Sequence, residues 1–414
     1  MLQTDVLVIG AGPSGSIAAS ILKNKGHQVT IVEKLKFPRF VIGESLLPRC
    51  MDALAEADML EAVKAKGFQE KFGAKFIQDD GSTCDFNFTE NFTKGYTYTW
   101  QVPRAEFDLT LAEVCEKKGI PVLYETEVVD IKFQDDESSI TTIKDKEGNI
   151  KTIQAKFIID GSGYGRVIPR LFNLDKPSTL PTRQALFTHI HDKNRKNIPT
   201  EANRIIVYIF NKDTWVWCIP FSNGNTSVGF VGFPDFFENS PGQSLNEKLS
   251  YLITQHDALK ARFQDCPFVM DSMELKAWST TTDKFYGKGF VLTGNVTEFL
   301  DPIFSSGVTL ASVSAQLAAN LVNRKLLGED INWESEYMQP SMLAVDVFRT
   351  FVESWYNGDL HTIFFSQNQS DEMRRQICSI LAGYVWDTNN PFVQKREKQI
   401  KTLSKYIKHF QDQS

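Results

Sequence analysis

A parallel α/β layer, joined to an antiparallel β layer and followed by helices, is the fold class this sequence predicts. Three observations predict it. The first is "TDVLVIGAGPSGSIAASILKNKGHQVTIVEK", in which a buried apolar strand, a glycine-rich turn, an amphipathic helix and a second apolar strand follow one another. The second is "RIIVYIFNKDTWVWCIPFSNGNTSVGFVGF", whose β-branched and aromatic runs are split by the turn SNGNT, the pattern of antiparallel strands. The third is the segment 346–414, where the aromatic-rich helical pattern "VFRTFVESWYNGDLHTIFF" passes into a basic tail.

Composition bounds what such a chain can do. At 414 residues it exceeds what one hydrophobic core usually supports, so two domains, or one with a large insertion, are expected. An apolar fraction of 42% and a charged fraction of 23% belong to a globular protein rather than a disordered one. A net charge of −6 argues against nucleic acid as a main partner. The six cysteines form no CxxC pair and the histidines no metal spacing, so neither a disulfide framework nor a metal site is expected. His189 and His191, alternating in "LFTHIHD", read as strand residues. No apolar run reaches membrane-spanning length and no signal-type segment is visible, so a cytoplasmic protein is expected. There is no internal repeat and no low-complexity linker.

The elements follow in order. Gly10, Gly12 and Gly15 make a GxGxxG turn between strand and helix. The first glycine permits the tight turn, the second lets backbone approach a pyrophosphate, and the third lets helix pack on strand. Pro13 and Ser14 open the helix, whose free N–H groups and positive dipole end suit phosphate. Glu33 ends the second strand, with Lys34 after it, placed to accept hydrogen bonds from a ribose diol. Together they specify dinucleotide binding. "KFIQDDGSTCDFNF" reads as a hairpin bending at Asp80-Gly81. A helix opens after Arg104, a strand holds Val128, and the apolar strand "AKFIID" ends at Asp160-Gly161. "GKGFVLTGNVTEFLDPIFSSGVTLASVSAQLAANLV" gives a strand, a loop and a long helix of small and apolar residues.

This series resembles the FAD-binding framework of the flavoprotein monooxygenase superfamily over the first 345 residues. The resemblance implies a Rossmann-like FAD-binding domain at 1–180 and 272–345. It further implies an antiparallel β-sheet substrate domain at 181–271, associated with the 68–100 hairpin region, and a helical C-terminal extension at 346–414. That arrangement is aromatic-hydroxylase-like. The resemblance also implies that Arg104 contacts the cofactor, that Val128 lies against adenine, and that Asp160, Gly161 and the loop Gly294–Gly307, with Asn295, Pro302 and Gly307 and with Val308 after it, complete the FAD site. Many members have Gly-Asp where this chain has Gly294-Asn295, which removes a charge but keeps an acceptor oxygen.

Three further matches resemble the flavin-dependent halogenase branch, of phenol or pyrrole type. "WVWCIP" fits WxWxIP at Trp215 and Trp217, and "FLDPIFSSG" fits F-x-x-P-x-x-S-x-G at Phe299, Pro302, Ser305 and Gly307. Lys71 in "GFQEKFGAKF", after "RFVIGESLLP", matches the segment bearing a catalytic lysine. By resemblance, reduced FAD, oxygen and chloride or bromide yield hypohalous acid, which Lys71 directs onto an electron-rich aromatic ring. Trp215 and Trp217 then form a barrier beside the flavin, and the amides of Ser306 and Gly307 hold the halide. Phe304 stands where tryptophan halogenases carry a glutamate. In "IGES", Glu44 and Ser45 either order the flavin loop or cap a helix at Ser45-Leu46. Taken alone, Lys71 reads as a surface lysine, as do Lys66 and Lys75. The same framework also occurs in FAD-dependent hydroxylases and in geranylgeranyl-reductase-like enzymes that saturate lipid double bonds; a non-catalytic flavin-binding protein is the other alternative. The substrate is expected to be a small or carrier-bound aromatic. A separate flavin reductase is expected too, because only one nucleotide fingerprint is present.

In the tail, Ile400, Leu403, Ile407 and Phe410 form an apolar stripe, with Lys395, Arg396, Lys398, Lys401, Lys405 and Lys408 around it. The stripe predicts a helix docked on its own domain. The basic faces suit a weak contact with an acidic carrier protein or an anionic membrane surface.

Overall fold

The computed structural model describes residues 2–411 except Thr179, Lys212, Ala277, Ser279 and Asn368, with no side-chain description at Phe410 and Gln411. Its first sheet runs Tyr286–Gly287, Phe290–Leu292, Ile150–Asp160, Leu2–Ile9, Val29–Val32 and Val122–Leu123. Leu2–Ile9 is parallel to Ile150–Asp160 on one side and to Val29–Val32 on the other. Val6 and Val8 face one core while Leu7 and Ile9 face another, which is why the strand is apolar without a break from Val6 to Ile9. The register aligns Ile9 with both Asp160 and Val32, and Asp160 with Leu292. Four strands therefore end along one edge, and Gly10, Glu33, Gly161 and Thr293 all emerge there. In open α/β sheets that edge is where ligands bind.

The second sheet runs Met273–Lys276, Gln184–His191, Asn225–Gly232, Thr214–Pro220, Arg204–Asn211, Gly73–Ile77 and Thr83–Asn87. Its pairs are antiparallel with one exception, Arg204–Asn211 against Gly73–Ile77, which is parallel. The strands within 181–271 pair antiparallel, as expected, and the parallel pair arises where the early hairpin joins them. The early hairpin, bent at Asp80-Gly81, joins the sheet edge through a long crossover, the connection a parallel pair needs. His189 and His191 lie on a strand.

Strand alternation places Trp215, Trp217 and Ile219 in one core and Val216 and Cys218 in the opposite one. The tryptophan face is covered by C-terminal helices, chiefly Gln339–Tyr356, Asp359–Phe364 and Asp371–Leu381. Trp355 meets Phe76 at 5.4 Å and Phe304 at 6.0 Å between ring centroids. Each such buried ring contributes about 2–3 kcal/mol, so the extension is firmly docked. The last helix, Arg396–Gln411, buries Ile400 and Ile407, half-buries Leu403 and exposes Lys398, Lys401, Lys405 and Lys408, with Lys395 exposed just before it. The Phe410 side chain of the apolar stripe lies outside the described residues. Among the described residues, no helix is long and apolar enough to cross a membrane.

Candidate active site: a crevice along the strand ends

A cavity of about 490 Å³ follows the strand-end edge and continues between the two sheets. At one end it is lined by Gly10, Gly12, Pro13, Ser14, Glu33 and Lys34. A Cβ on Gly15 would come within 1.9 Å of the Gly10 carbonyl, so helix and turn touch backbone to backbone. A Cβ on Gly12 would meet nothing nearer than Arg39 Nη2 at 3.5 Å, because it faces the cavity. The helix Pro13–Asn24 has no side-chain cap, which leaves its first N–H groups for an anion. Glu33 accepts hydrogen bonds from the amides of Ala11 (2.8 Å) and Leu35 (2.9 Å), fixing the turn while keeping lone pairs toward the crevice.

At the other end the lining passes through Asn295, Pro302, Ser306, Gly307 and Val308. The 21-residue helix Ser306–Leu326 begins there, again without a side-chain cap. Two uncapped helix N-termini thus face one elongated crevice, and Gly161 lies between them. The anion-ready turn, the acidic residue at the strand end and the second helix start fit an elongated dinucleotide such as FAD.

Not every residue expected in the site touches the crevice. Gly15, Val128 and Asp160 are outside the lining. Val128 is buried in the core behind the sheet. Asp160 accepts from the amides of Ser162 and Ile168, holding the turn after its strand, and burial raises its carboxyl above the usual range. Arg104 lines the cavity, but its guanidinium is bidentate on Asp108 (2.8 and 3.0 Å) and donates to the carbonyls of Ile42 and Gly43. It orders the segment carrying Glu44 and Ser45.

That segment has no helix at Ser45-Leu46; the next helix starts at Cys50. The capping reading is corrected, because Ser45 makes a strand-like bridge to Gln101 and its hydroxyl is engaged by Lys71. Glu44 is buried with Oε1 at 2.7 Å from His189 Nε2, while Oε2 has no partner among the described residues.

Lys71 is not a surface residue. It is 1% exposed, and its Nζ donates to Ser45 Oγ and the Leu46 carbonyl, both at 2.8 Å. The ammonium also lies 5.4 Å from the Phe88 ring centroid. Burial pushes its pKa down to about 7. Beside it is a second cavity of about 10 Å³, large enough for one water, lined by Lys71, Phe304 and Ser305 among others. Ser305 and Ile205 line both cavities. Lys75 is half-buried and Lys66 exposed.

Trp215 and Trp217 line the large cavity with ring centroids 6.0 Å apart. Trp217 Nε1 donates to Ser227 Oγ and Trp215 Nε1 to Tyr356 Oη, both at 3.0 Å. Sequence reasoning missed Arg39, Tyr164 and Trp278 in the lining, the Glu44–His189 pair, and Tyr356. For Arg39 a signal existed. Asp108, four residues after Arg104, is an anion placed by helical spacing to gather two arginines.

The FAD binding domain family matches residues 3–279. The 1H-pyrrole-2-carbonyl-[peptidyl-carrier protein] chlorinase of Pseudomonas fluorescens is 29% identical over 412 residues, covering 92% of this chain and 89% of its own. A flavin-dependent halogenase of Armillaria mellea is 31% identical over 356 residues, covering 79% of this chain and 68% of its own. The crystal structure of a flavoprotein/dehydrogenase from Cytophaga hutchinsonii superposes with a TM-score of 0.96 at 51% identity, over 99% of this chain and 100% of that one. The uncapped glycine turn, the second uncapped helix start and the WxWxIP strand lining one crevice agree with these matches: the chain belongs to the FAD binding domain family, among the flavin-dependent halogenases.

Proposed function

We propose that this protein halogenates a phenol- or pyrrole-type aromatic ring, free or carrier-bound, with Lys71 as the catalytic residue. The observation that carries the reading is a buried lysine, its pKa lowered to about 7, beside a water-sized cavity that shares Ser305 and Ile205 with the flavin crevice. When bound and reduced, FAD would give two electrons to oxygen, and oxygen at the peroxide level would take two more from the halide, leaving hypohalous acid and water. Gly10, Gly12, Pro13 and Ser14 would hold its diphosphate, Glu33 its ribose, and the loop Asn295–Val308 its flavin end. The amides of Ser306 and Gly307, at an uncapped helix start, would hold the halide.

Trp215 and Trp217 line the crevice and would keep an organic ring from the flavin, while a molecule the size of water fits the space near Lys71. At neutral pH a substantial fraction of Lys71 is unprotonated, and that lone pair can bind or carry the electrophilic halogen. Ser45 and the Leu46 carbonyl aim the nitrogen.

A carrier-bound substrate is supported by the carrier-protein wording in the name of the pyrrole chlorinase relative, and by the exposed lysines of the last helix. A separate reductase would supply reduced flavin, and the cytoplasm would be the site of action. The test supplies the purified protein with reduced FAD, oxygen, bromide and a trap for hypohalous acid. Bromide-dependent trapped product is expected. Peroxide alone, with no trapped halogen under any halide, would favour the hydroxylase or reductase alternatives.

A further inference from the structure

Trp215, Asp301 and Tyr356 come from a strand, the flavin-side loop and the end of a C-terminal helix, and they meet in one line, Trp215 and Asp301 buried and Tyr356 half-buried. Trp215 Nε1 donates to Tyr356 Oη at 3.0 Å, and Tyr356 Oη donates to Asp301 Oδ2 at 2.9 Å. The other oxygen, Asp301 Oδ1, accepts from the amide of Ile303 at 3.1 Å and so caps the turn Pro302–Phe304. Trp215 is 2% exposed and Asp301 3%. The direction of the chain is fixed by chemistry. An indole N–H only donates, so the hydroxyl must accept from it and send its own proton on to the carboxylate. A phenylalanine at 356 could do neither.

We propose that Tyr356 is a positioning residue for the reaction: its hydroxyl ties the C-terminal helices to the flavin-side loop and to the first tryptophan of the WxW pair. The proposal rests on the reading that the loop Asn295–Val308 receives the flavin. Docking of the C-terminal extension then sets two features together, the turn that leads into the halide-side helix and the aromatic wall opposite. The ring of Tyr356 is itself held, with the Arg183 guanidinium 3.8 Å from its centroid. Arg183 is also the charged group whose field reaches Asp301, while the neighbouring carboxylate of Glu298 is taken up by Arg349. Burial raises the Asp301 carboxyl to about 6, against the lowering effects of the Ile303 amide, the Tyr356 hydroxyl and Arg183.

The test measures FAD affinity of the apoprotein from pH 5 to 9 by flavin fluorescence quenching. Wild type is expected to bind more weakly as pH falls through about 6, where Asp301 gains a proton, loses its charge and no longer offers a carboxylate oxygen to the Tyr356 hydroxyl. Tyr356→Phe is expected to weaken FAD binding at pH 7.5 by about tenfold, the scale of a hydrogen bond to a charged group. It should also move the midpoint upward, because a stabiliser of the carboxylate has gone. Trp215→Phe keeps the Tyr356–Asp301 bond and should leave the midpoint in place, and Asp301→Asn should remove the pH dependence. A purely structural role for Tyr356 would lower the melting temperature without moving the midpoint. Wild-type affinity and midpoint in Tyr356→Phe would overturn the proposal. Should that variant not fold, an unchanged pH curve in Asp301→Asn would overturn it equally. Failure of wild type to bind FAD at all would instead overturn the cofactor assignment on which it rests.

Discussion

Lys71 shows how far a single residue can depart from its usual habit. Lysine is rarely buried, and here the ammonium has traded water for one hydroxyl, one carbonyl and the face of a ring. Its folded pKa lies near 7, below the 10.5 of a free side chain. Between those values the unfolded chain binds more protons than the folded one, so this residue makes stability rise as pH rises from about 7 to about 10. Below pH 7 the charge is carried inside the protein at full cost. Lys71→Met, which keeps the volume and removes the charge, is therefore expected to stabilise the fold at pH 6 by on the order of 2 kcal/mol. The gain should shrink toward pH 10. Melting curves at the two pH values check this, and a variant less stable than wild type at pH 6 contradicts it. The motif around Lys71 was readable in sequence, but its burial was not. Nothing local announces that the strand Gln69–Lys71 pairs with Thr99–Gln101 beneath the segment bearing Ser45.

Among the elements, the glycine turn and the WVWCIP strand were the most legible, because both are local. A period-two pattern puts two indoles on one face wherever the strand is placed, and a GxGxxG turn needs only its own strands and helix. The parallel edge pair and the cluster at Asp301 were not legible, since each joins segments separated by more than fifty residues. Asp301 also makes its loop costly. Its carboxyl is raised from 3.8 to about 6, so the folded protein binds that proton more tightly and stability falls as pH rises between those values. Asp301→Asn keeps an acceptor for Ile303 but no charge to bury. It is expected to raise the thermal midpoint at pH 8, by up to about 3 kcal/mol in stability, while weakening FAD binding. Calorimetry beside a flavin titration separates the two effects, and a destabilised Asn variant at pH 8 would count against a buried ionised Asp301.

For the whole molecule, the C-terminal helices are the part with the least sequence signal and a large structural effect. Their aromatic residues close over the tryptophan face, and Leu381 of these helices lines the space beside Lys71, which is large enough for a water and too small for an aromatic ring. Entry of the ring therefore requires the side chains or helices around Lys71 to shift. The last helix is docked through Ile400 and Ile407, as its stripe suggested, and two of its lysines are engaged, Lys401 with Glu397 and Lys408 with Asp359. Lys395, Lys398 and Lys405 are exposed. Reversing these three charges is expected to slow turnover of a carrier-bound substrate about tenfold at low salt while sparing a free ring, and added salt should erase the difference. Equal losses on both substrates would point to a folding defect instead.

The measurement closest to the central claim follows hypohalous acid and halogenated ring in one reaction of Lys71→Met with reduced FAD, oxygen and bromide. If the halogen is made in the crevice and directed by Lys71, the variant should yield trapped hypobromous acid at nearly the wild-type rate. Organic bromination should fall at least a hundredfold, on the order of 3 kcal/mol of lost transition-state stabilisation. Bromination of the ring at the wild-type rate, with Lys71 gone, would contradict the account.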